Sequence, residues 1–138
     1  MKIHIVRPEQ ESVDNFQRIE VYPNAMELST IADNECTTIL ANDVADSFSV
    51  EKIGGMVHAL LSKVRMGGEI VIGGTDIRLF SRMVLSEQLG EIDACNIVGS
   101  VQSMSNLDIL AEILTQANFQ IQSTQLMGIH YEVTAKRV

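Results

Sequence analysis

The sequence predicts an α/β protein in which a mostly parallel sheet ends in an antiparallel hairpin. The first observation is an amphipathic helix pattern over residues 51–65 that runs into the pair Gly67-Gly68. The second is residues 69–72, a short run rich in β-branched side chains, which predicts a strand. A helix followed directly by a strand is half of a βαβ crossover, the unit of a parallel sheet. The third is a pair of alternating segments, residues 119–126 and 129–138, which predicts an antiparallel pair.

Three strands are expected before the central helix. Residues 2–6, 18–22 and 36–41 are short, apolar or alternating runs, and Pro23-Asn24 is a typical turn pair after the second of them. Between the first two strands lies a polar segment, residues 7–17, that opens with a proline and contains no glycine. A crossover of this length has little room for a helix.

The central helix carries one apolar stripe at helical spacing. Ser49 stands where an N-cap belongs, and Glu51 places negative charge in the first turn, where the helix dipole favours it. Gly67-Gly68 is expected to end the helix, because glycine takes positive φ without steric cost. The stripe consists of Ile53, Met56, Val57, Leu60, Leu61 and Val64.

Two further helices are expected in the second half of the chain. Residues 77–89 have Ile77, Phe80 and Val84 on one face, with Leu85 beside them, whereas residues 91–104 show no clear pattern and are treated as a loop. Ser105 and Asp108 resemble a capping box for the next helix, which is expected to bury Leu107, Leu110, Ala111 and Leu114 and to end at Asn118. The predicted order is therefore β–β–β–α–β–α–α–β–β.

The composition predicts one cytoplasmic domain spanning residues 1–138. No apolar run approaches the roughly 20 residues of a membrane span. Cys36 and Cys95 are two distant cysteines, typical of reduced thiols, and the three scattered histidines suggest no metal site. The net charge of −8, with no cluster of lysine or arginine, argues against nucleic acid as a partner.

With these elements in place, the chain resembles the carboxyl-terminal two-thirds of class I S-adenosylmethionine-dependent methyltransferases. Residues 28–34 and 36–46 resemble the segment before the fourth strand, that strand and its polar exit. The run Met66-Gly67-Gly68 and the strand behind it resemble the family's L-x-P-G-G turn and fifth strand. Ala117-Asn118-Phe119 resembles the entry into the sixth strand, and residues 131–137 the reversed seventh. The resemblance implies a Rossmann-like, three-layer sandwich and S-adenosylmethionine as cofactor.

The chain departs from that family after its first strand. Family members have a glycine-rich loop there, which lets the backbone approach the cofactor, with a helix N-terminus behind it. This sequence has Arg7-Pro8-Glu9 instead, and its first glycine is Gly54. The arginine and glutamate side chains would fill the space that the cofactor needs, and proline lacks an amide donor. The departure therefore argues against cofactor binding.

The resemblance implies three cofactor-binding residues near the carboxyl ends of strands. Glu20 corresponds to the acid that family members place on the ribose hydroxyls, and its alternative role is a solvent-facing strand carboxylate. Asn42 and Asp43 follow the third strand, where open α/β sheets hold ligands. Their alternative role is a turn with local side-chain hydrogen bonds.

Asp76, Thr75 and Arg78 are the candidates for chemistry on a substrate. They follow the strand at 69–72, and a carboxylate at that edge could take a proton from an attacking oxygen or nitrogen, which would make Asp76 catalytic and the other two substrate-binding. The alternative is that Thr75 or Asp76 caps the helix that starts at Ile77. The pair Gly73-Gly74 fits either a ligand cradle or a tight strand exit.

Two functions follow from these observations. The first is a methyltransferase-fold protein that has lost catalysis and acts as a binding or assembly subunit. The second is a minimal, active methyltransferase on a small-molecule substrate; enzymatic activity, if the chain has any, is methyl transfer. A shortened sheet would leave a strand edge uncovered, which predicts a homodimer or another protein partner.

Overall fold

The computed structural model describes all residues, Met1–Val138, and contains one seven-stranded sheet flanked by four helices. The strand order across the sheet is β3-β2-β1-β4-β5-β7-β6. A 3-10 turn, Val44–Ser47, follows the fourth strand. The strands are β1 (Lys2–Val6), β2 (Gln17–Tyr22), β3 (Ala25–Met26), β4 (Cys36–Ala41), β5 (Val64–Thr75), β6 (Phe119–Met127) and β7 (His130–Arg137), and the helices are α1 (Val50–Leu61), α2 (Ile77–Leu85), α3 (Glu91–Ser100) and α4 (Leu107–Gln116).

The sheet is parallel in its middle and antiparallel at both ends. β2, β1, β4 and β5 are parallel neighbours, whereas β7 runs against both β5 and β6. Asn24 at φ 58° and Gly128 at φ 63° form the tight turns of the two hairpins, β2–β3 and β6–β7. The mixed α/β sheet and its carboxyl-terminal hairpin confirm the predicted fold class.

One hydrophobic core lies between one face of the sheet and the helices α1 and α4. Strand side chains at every second position point into it, for example Ile3, Ile39 and Ile70, all fully buried. α1 contributes the predicted stripe and α4 contributes Leu110 and Leu114. Burial of this apolar area is the main source of stability.

The opposite face of the sheet carries mostly polar side chains that are partly or fully exposed. Over β1 and β2 it contacts the connecting segment 7–16, which contains no helix. The backbone N–H of Val13 donates to Nδ1 of His4 (3.0 Å), and the ammonium of Lys2 lies 5.6 Å from the centre of the Phe16 ring. The β1–β2 crossover is therefore a loop held on the sheet by side chains.

The central helix ends earlier than the glycine pair predicted. α1 stops at Leu61, and Val64, Arg65 and Gly67 already belong to the long strand β5. Gly67 has φ +80°, and the β4–β5 register shifts across the same stretch, between the Cys36 and Thr38 pairs. Gly67 thus allows an irregularity inside β5. Val64 is buried as predicted, but as a residue of β5 rather than of α1.

Two predictions for the second half were wrong. Residues 91–104, treated as a loop, contain a ten-residue helix, α3, with Ala94 as its one buried residue. The N-cap of α4 is Asn106, whose side chain accepts from the N–H of Ile109 (3.0 Å), rather than Ser105. The helix predicted from Ile77 forms as α2 but ends at Leu85, and its apolar face contributes no buried residue. No helix here has the length and apolar character needed to cross a membrane.

Candidate functional site

The candidate site lies at the carboxyl edge of the parallel strands. The chain leaves β1 toward β2 on one side, while β4 lies on the other side of β1, so the connections diverge at this point. Open α/β sheets hold ligands in the crevice at such a switch point. Arg7 follows β1 there, and Asn42 and Asp43 follow β4.

The loop after β1 is fixed by one arginine from β2. The guanidinium of Arg18 donates to the backbone carbonyl oxygens of Arg7 (3.2 Å), Pro8 (3.0 Å) and Gln10. The five N–H donors of a guanidinium lie in a rigid plane, so contacts to three carbonyls hold the loop in one shape. The loop is therefore a braced structure on the sheet.

The residues that open this loop, Arg7 to Gln10, have one backbone N–H without an acceptor in the protein, that of Glu9. The N–H of Arg7 donates to Oε1 of Gln10 (2.9 Å), and the N–H of Gln10 donates to the carbonyl of Arg7 (3.0 Å). Pro8 has no amide hydrogen. Nε of Arg7 lies 2.9 Å from Oε1 of Glu9 but forms no aligned hydrogen bond, so that buried N–H lacks a partner. The start of the loop thus presents one free amide, whereas a helix N-terminus presents several.

A cavity of about 260 Å³ opens beside this loop. That volume lies below the roughly 300–1,000 Å³ of typical ligand pockets. None of the predicted cofactor ligands Glu20, Asn42 and Asp43 lines it. Its walls are Arg7, Pro8, Glu9, Val21, Tyr22, Pro23, Asp46, Ser47, Ser100 and Gln102.

Asp46 is the buried carboxylate of the cavity wall. Its Oδ1 accepts from the backbone N–H of Thr75 (2.6 Å), and its Oδ2 accepts from the hydroxyl of the same residue (2.8 Å). Burial raises the pKa of Asp46 above the ordinary value of 3.8, although the two hydrogen bonds from Thr75 act in the opposite direction. A Cβ at Gly74 would lie 2.9 Å from Oδ1 of Asp46, so the absence of a side chain at this position leaves room for the carboxylate.

The sheet brings Asp43, Asp46 and His130 together. One oxygen or nitrogen atom of each lies within 4.8 Å of the others. Two carboxylates and an imidazole are groups that can exchange protons or coordinate a divalent cation. This cluster could not be predicted from residue spacing, because His130 lies at the start of β7, far from the two aspartates along the chain.

Two of the three predicted cofactor residues, Glu20 and Asn42, are engaged with other side chains, whereas Asp43 belongs to the cluster with Asp46 and His130. The carboxylate of Glu20 accepts from Nε of Arg18 (3.4 Å) and from the hydroxyl of Tyr22. The Tyr22 hydrogen bond is the main cause that lowers the pKa of Glu20. Nδ2 of Asn42 donates to Oε1 of Glu132 on β7 (2.7 Å). Both contacts are side-chain pairs on the sheet.

The predicted catalytic aspartate caps a helix. Oδ1 of Asp76 accepts from the backbone N–H groups of Arg78 (2.8 Å) and Leu79 (3.1 Å), and Oδ2 accepts from the N–H of Leu107 (3.4 Å). Asp76 is only 4% exposed. The capping alternative is thus the observed geometry. Arg78 points to the surface, where its guanidinium meets the carboxylate of Asp108 (2.6 Å).

The pair Gly73-Gly74 is packed against the protein itself. A Cβ at Gly73 would overlap the carbonyl oxygen of Tyr131 and stand 2.6 Å from that of Asn42. The backbones of three neighbouring strands therefore fill the space that a ligand cradle would leave open.

Comparison with known proteins identifies the fold. A scan against protein-family models finds no match, and neither does a search of curated proteins. Among solved structures, the chain is similar to a SAM-dependent methyltransferase from Archaeoglobus fulgidus (11% identity, TM-score 0.58), covering 89% of this chain and 68% of that one. It is also similar to magnesium protoporphyrin IX methyltransferase from Synechocystis PCC 6803 with bound SAH (12% identity, TM-score 0.60), covering 88% of this chain and 51% of that one.

A third similar structure is 1,6-didemethyltoxoflavin-N1-methyltransferase from Burkholderia thailandensis, also with bound S-adenosylhomocysteine (17% identity, TM-score 0.52). The match covers 78% of this chain and 46% of that one. The present chain thus spans about half of the length of two of these enzymes and about two-thirds of the other. The strand order, the reversed β7 and these similarities together show that the chain has the fold of the class I S-adenosylmethionine-dependent methyltransferases.

Proposed function

We propose that this chain is a methyltransferase-fold protein that does not transfer methyl groups and acts as a binding or assembly subunit. The observation that carries the proposal is the braced loop after β1, where Arg18 holds the carbonyls of Arg7, Pro8 and Gln10. Cofactor binding at a switch point needs backbone amides that approach the ligand and a helix N-terminus behind them. Segment 7–16 has no helix, and among its first four residues only Glu9 has a backbone N–H without an acceptor in the protein.

The acidic residues support the same proposal. The carboxylate of Glu20 already accepts one hydrogen bond on each oxygen, from Arg18 and from Tyr22, so ribose hydroxyls would have to share these oxygens with both donors. A general base must reach a substrate proton, whereas Asp76 is buried and holds the first turn of α2. The cofactor-binding role of Glu20 and the catalytic role of Asp76 would therefore both compete with contacts inside the protein.

A second candidate function is methyl transfer to a small molecule by a minimal enzyme. The observation that favours it is the cavity of about 260 Å³ at the switch point, with the buried carboxylate of Asp46 in its wall. Two of the similar structures contain S-adenosylhomocysteine. Under this alternative the cofactor would enter that cavity after Arg7 and Glu9 moved aside.

Titration with S-adenosylmethionine and S-adenosylhomocysteine separates the two functions. A ligand at 100 times its dissociation constant stabilises the folded state by roughly 2.7 kcal/mol, which would raise the melting temperature by roughly 5–11 °C in a chain of this size. We expect no shift and no heat in calorimetry at millimolar ligand. A saturable shift would refute the loss of cofactor binding on which the proposal rests and would favour the alternative.

A cavity-filling variant tests whether a ligand that raises the melting temperature binds in this cavity. Gln102 lines the cavity and has an exposed side chain, so Gln102→Trp would block the cavity while keeping the chain folded. Gln116→Trp on the exposed side of α4 is the matched control. A shift that Gln102→Trp abolishes and Gln116→Trp preserves would place the cofactor at the switch point.

A further inference from the structure

The two edges of the sheet differ in length. On one side the sheet ends with β3, a strand of two residues, whereas on the other it ends with β6, a strand of nine. β7 pairs with one side of β6, and no strand pairs with the other side. An edge strand of that length presents a row of backbone groups that can pair with another strand.

β6 lacks the residues that usually protect such an edge. Its sequence is FQIQSTQLM, which contains no lysine, no other charged residue and no proline. Edge strands that stay unpaired typically carry charges, proline or a bulge, or are very short. β3 follows this rule by its length, whereas β6 has one bulge, between Ile121 and Ser123, and none of these features over residues 123–127.

The absence of charge in β6 favours a second copy of this chain as the partner. Each copy carries a net charge of −8, so two copies repel one another at most of their surface. At β6 they can approach without placing like charges in contact. The charged side chains that line the hollow beside Leu126 are Asp76, Arg78, Arg82 and Asp108. Arg78 and Asp108 form an ion pair, Asp76 caps α2, and Arg82 adds a positive charge to a chain that is acidic overall.

The available part of the edge is residues 123–127. The β6–β7 register shifts between Ile121 and Ser123, and the side-chain amide of Gln122 donates to the carbonyl of Gln120 (3.5 Å). Beyond this bulge, pairing with β7 is regular to Met127, and every side chain from Gln122 to Met127 is exposed. Leu126 and Met127 are 58% and 53% exposed, so the segment ends in two apolar side chains open to water.

We propose that two copies of the chain pair antiparallel through residues 123–127, with Gln125 on the two-fold axis. Thr124 then lies opposite the partner's Leu126, and Ser123 lies opposite the partner's Met127. A two-fold contact of this kind uses the same segment on both copies and closes after two. It joins the two sheets into one and covers the exposed apolar ends of both strands.

This dimer is independent of the cofactor question. β6 and the cavity beside β1 and β2 lie at opposite sides of the sheet. A result for or against S-adenosylhomocysteine binding therefore leaves the dimer untouched, and loss of the dimer says nothing about the cavity.

Light scattering coupled to size-exclusion chromatography tests the dimer. We expect twice the chain mass of 15.2 kDa at high micromolar concentration, with dissociation on dilution. Gln125→Lys places two ammonium groups face to face at the axis and should give a monomer. Gln120→Lys makes the same change on the same strand outside the paired segment and should leave the dimer intact. Far-ultraviolet circular dichroism spectra equal to that of the wild type show that both variants are folded.

Cysteine cross-linking tests the register. In a Cys95→Ser background, which removes the exposed native thiol, Gln125→Cys should form an intermolecular disulfide under mild oxidation. Thr124→Cys, which lies opposite the partner's Leu126, should give several-fold less.

A wild-type monomer at several hundred micromolar would overturn the proposal. So would a dimer that survives Gln125→Lys, because it would use another surface. Equal cross-linking at positions 124 and 125 would refute the axis at Gln125.

Discussion

Gly73 is the position where one added methyl group tests the arrangement of three strands at once. It lies in β5, opposite Glu132 of β7, with the end of β4 on its other side. The Cβ of Gly73→Ala would overlap the carbonyl oxygen of Tyr131 and stand 2.6 Å from the carbonyl oxygen of Asn42. Both neighbours are backbone atoms, so no side-chain rotation can relieve the contact.

The cost follows from what has to move. Inserting a methyl group into a packed interior typically costs 1–3 kcal/mol, and more when the surroundings cannot adjust. Here relief requires that β5 separate from β7 or from β4, which stretches hydrogen bonds of the ladder, each worth about 1 kcal/mol. We therefore expect Gly73→Ala to lower the free energy of unfolding by about 3 kcal/mol or more.

Urea denaturation followed by circular dichroism measures this loss, and Gly55→Ala is its control. Gly55 lies inside α1 with nothing within 4 Å of an added Cβ. Alanine there should raise the free energy of unfolding by about 1 kcal/mol, because glycine is the poorer helix former. If Gly73→Ala were as stable as the wild type, the close approach of β5 to β7 and to the end of β4 would be refuted.

Two further changes test the core and the cavity wall. Leu60→Ala, at a fully buried position of α1, should lower the free energy of unfolding by about 2–5 kcal/mol in the same urea assay, and an unchanged value would mean that the α1 stripe is not buried. Asp46→Asn should stabilise the protein at pH 7 and lose this advantage toward pH 4, measured by urea unfolding across that range. The sign follows from the raised pKa of Asp46 in the folded state: the folded protein binds the proton more tightly, so wild-type stability falls as pH rises through that pKa. A mutant-to-wild-type difference that does not change with pH would contradict it.

Three of the four strands of the first half could be predicted because their residues alternate between a buried and a half-exposed face, whereas β3, with two residues, is too short to show such a pattern. β4 has the bounds that its composition suggested, and β1 does as well. The end of α1 could not be predicted in the same way. Val64 continues the helical spacing of Val57 and Leu60 by coincidence. It is buried as the first residue of β5, which is separated from the end of α1 by two residues.

The helices α2 and α3 show how far an apolar pattern in the sequence can predict a helix and its burial. The apolar face of α2 predicted a helix, and one forms, but the face stays largely exposed, with Ile77 46% and Leu85 85% exposed. α3 buries Ala94 alone, so its sequence has no stripe that could reveal a helix. An apolar pattern can therefore indicate a helix without showing what the helix packs on, and a helix that buries one residue leaves no pattern to find.

The residues of the candidate site could be chosen from the sequence by their position after strands, but their contacts could not. Position alone placed Asn42 and Asp76 at the carboxyl edge, where they lie. The partners that decide their chemistry come from distant parts of the chain: Glu132 binds Asn42, and the amide of Leu107 approaches Asp76. Sequence spacing carries no information about such pairs.

The shortness of the β1–β2 connection and the missing amide cradle have one physical cause. A helix in the crossover would satisfy its own carbonyls and point its first amides at the switch point. Segment 7–16 has no helix, so the carbonyls of Arg7, Pro8 and Gln10 need another donor, and Arg18 supplies it from β2. The same guanidinium also pairs with the carboxylate of Glu20 (3.4 Å). The bonds that make a short crossover stable are therefore the same bonds from which we propose the loss of cofactor binding.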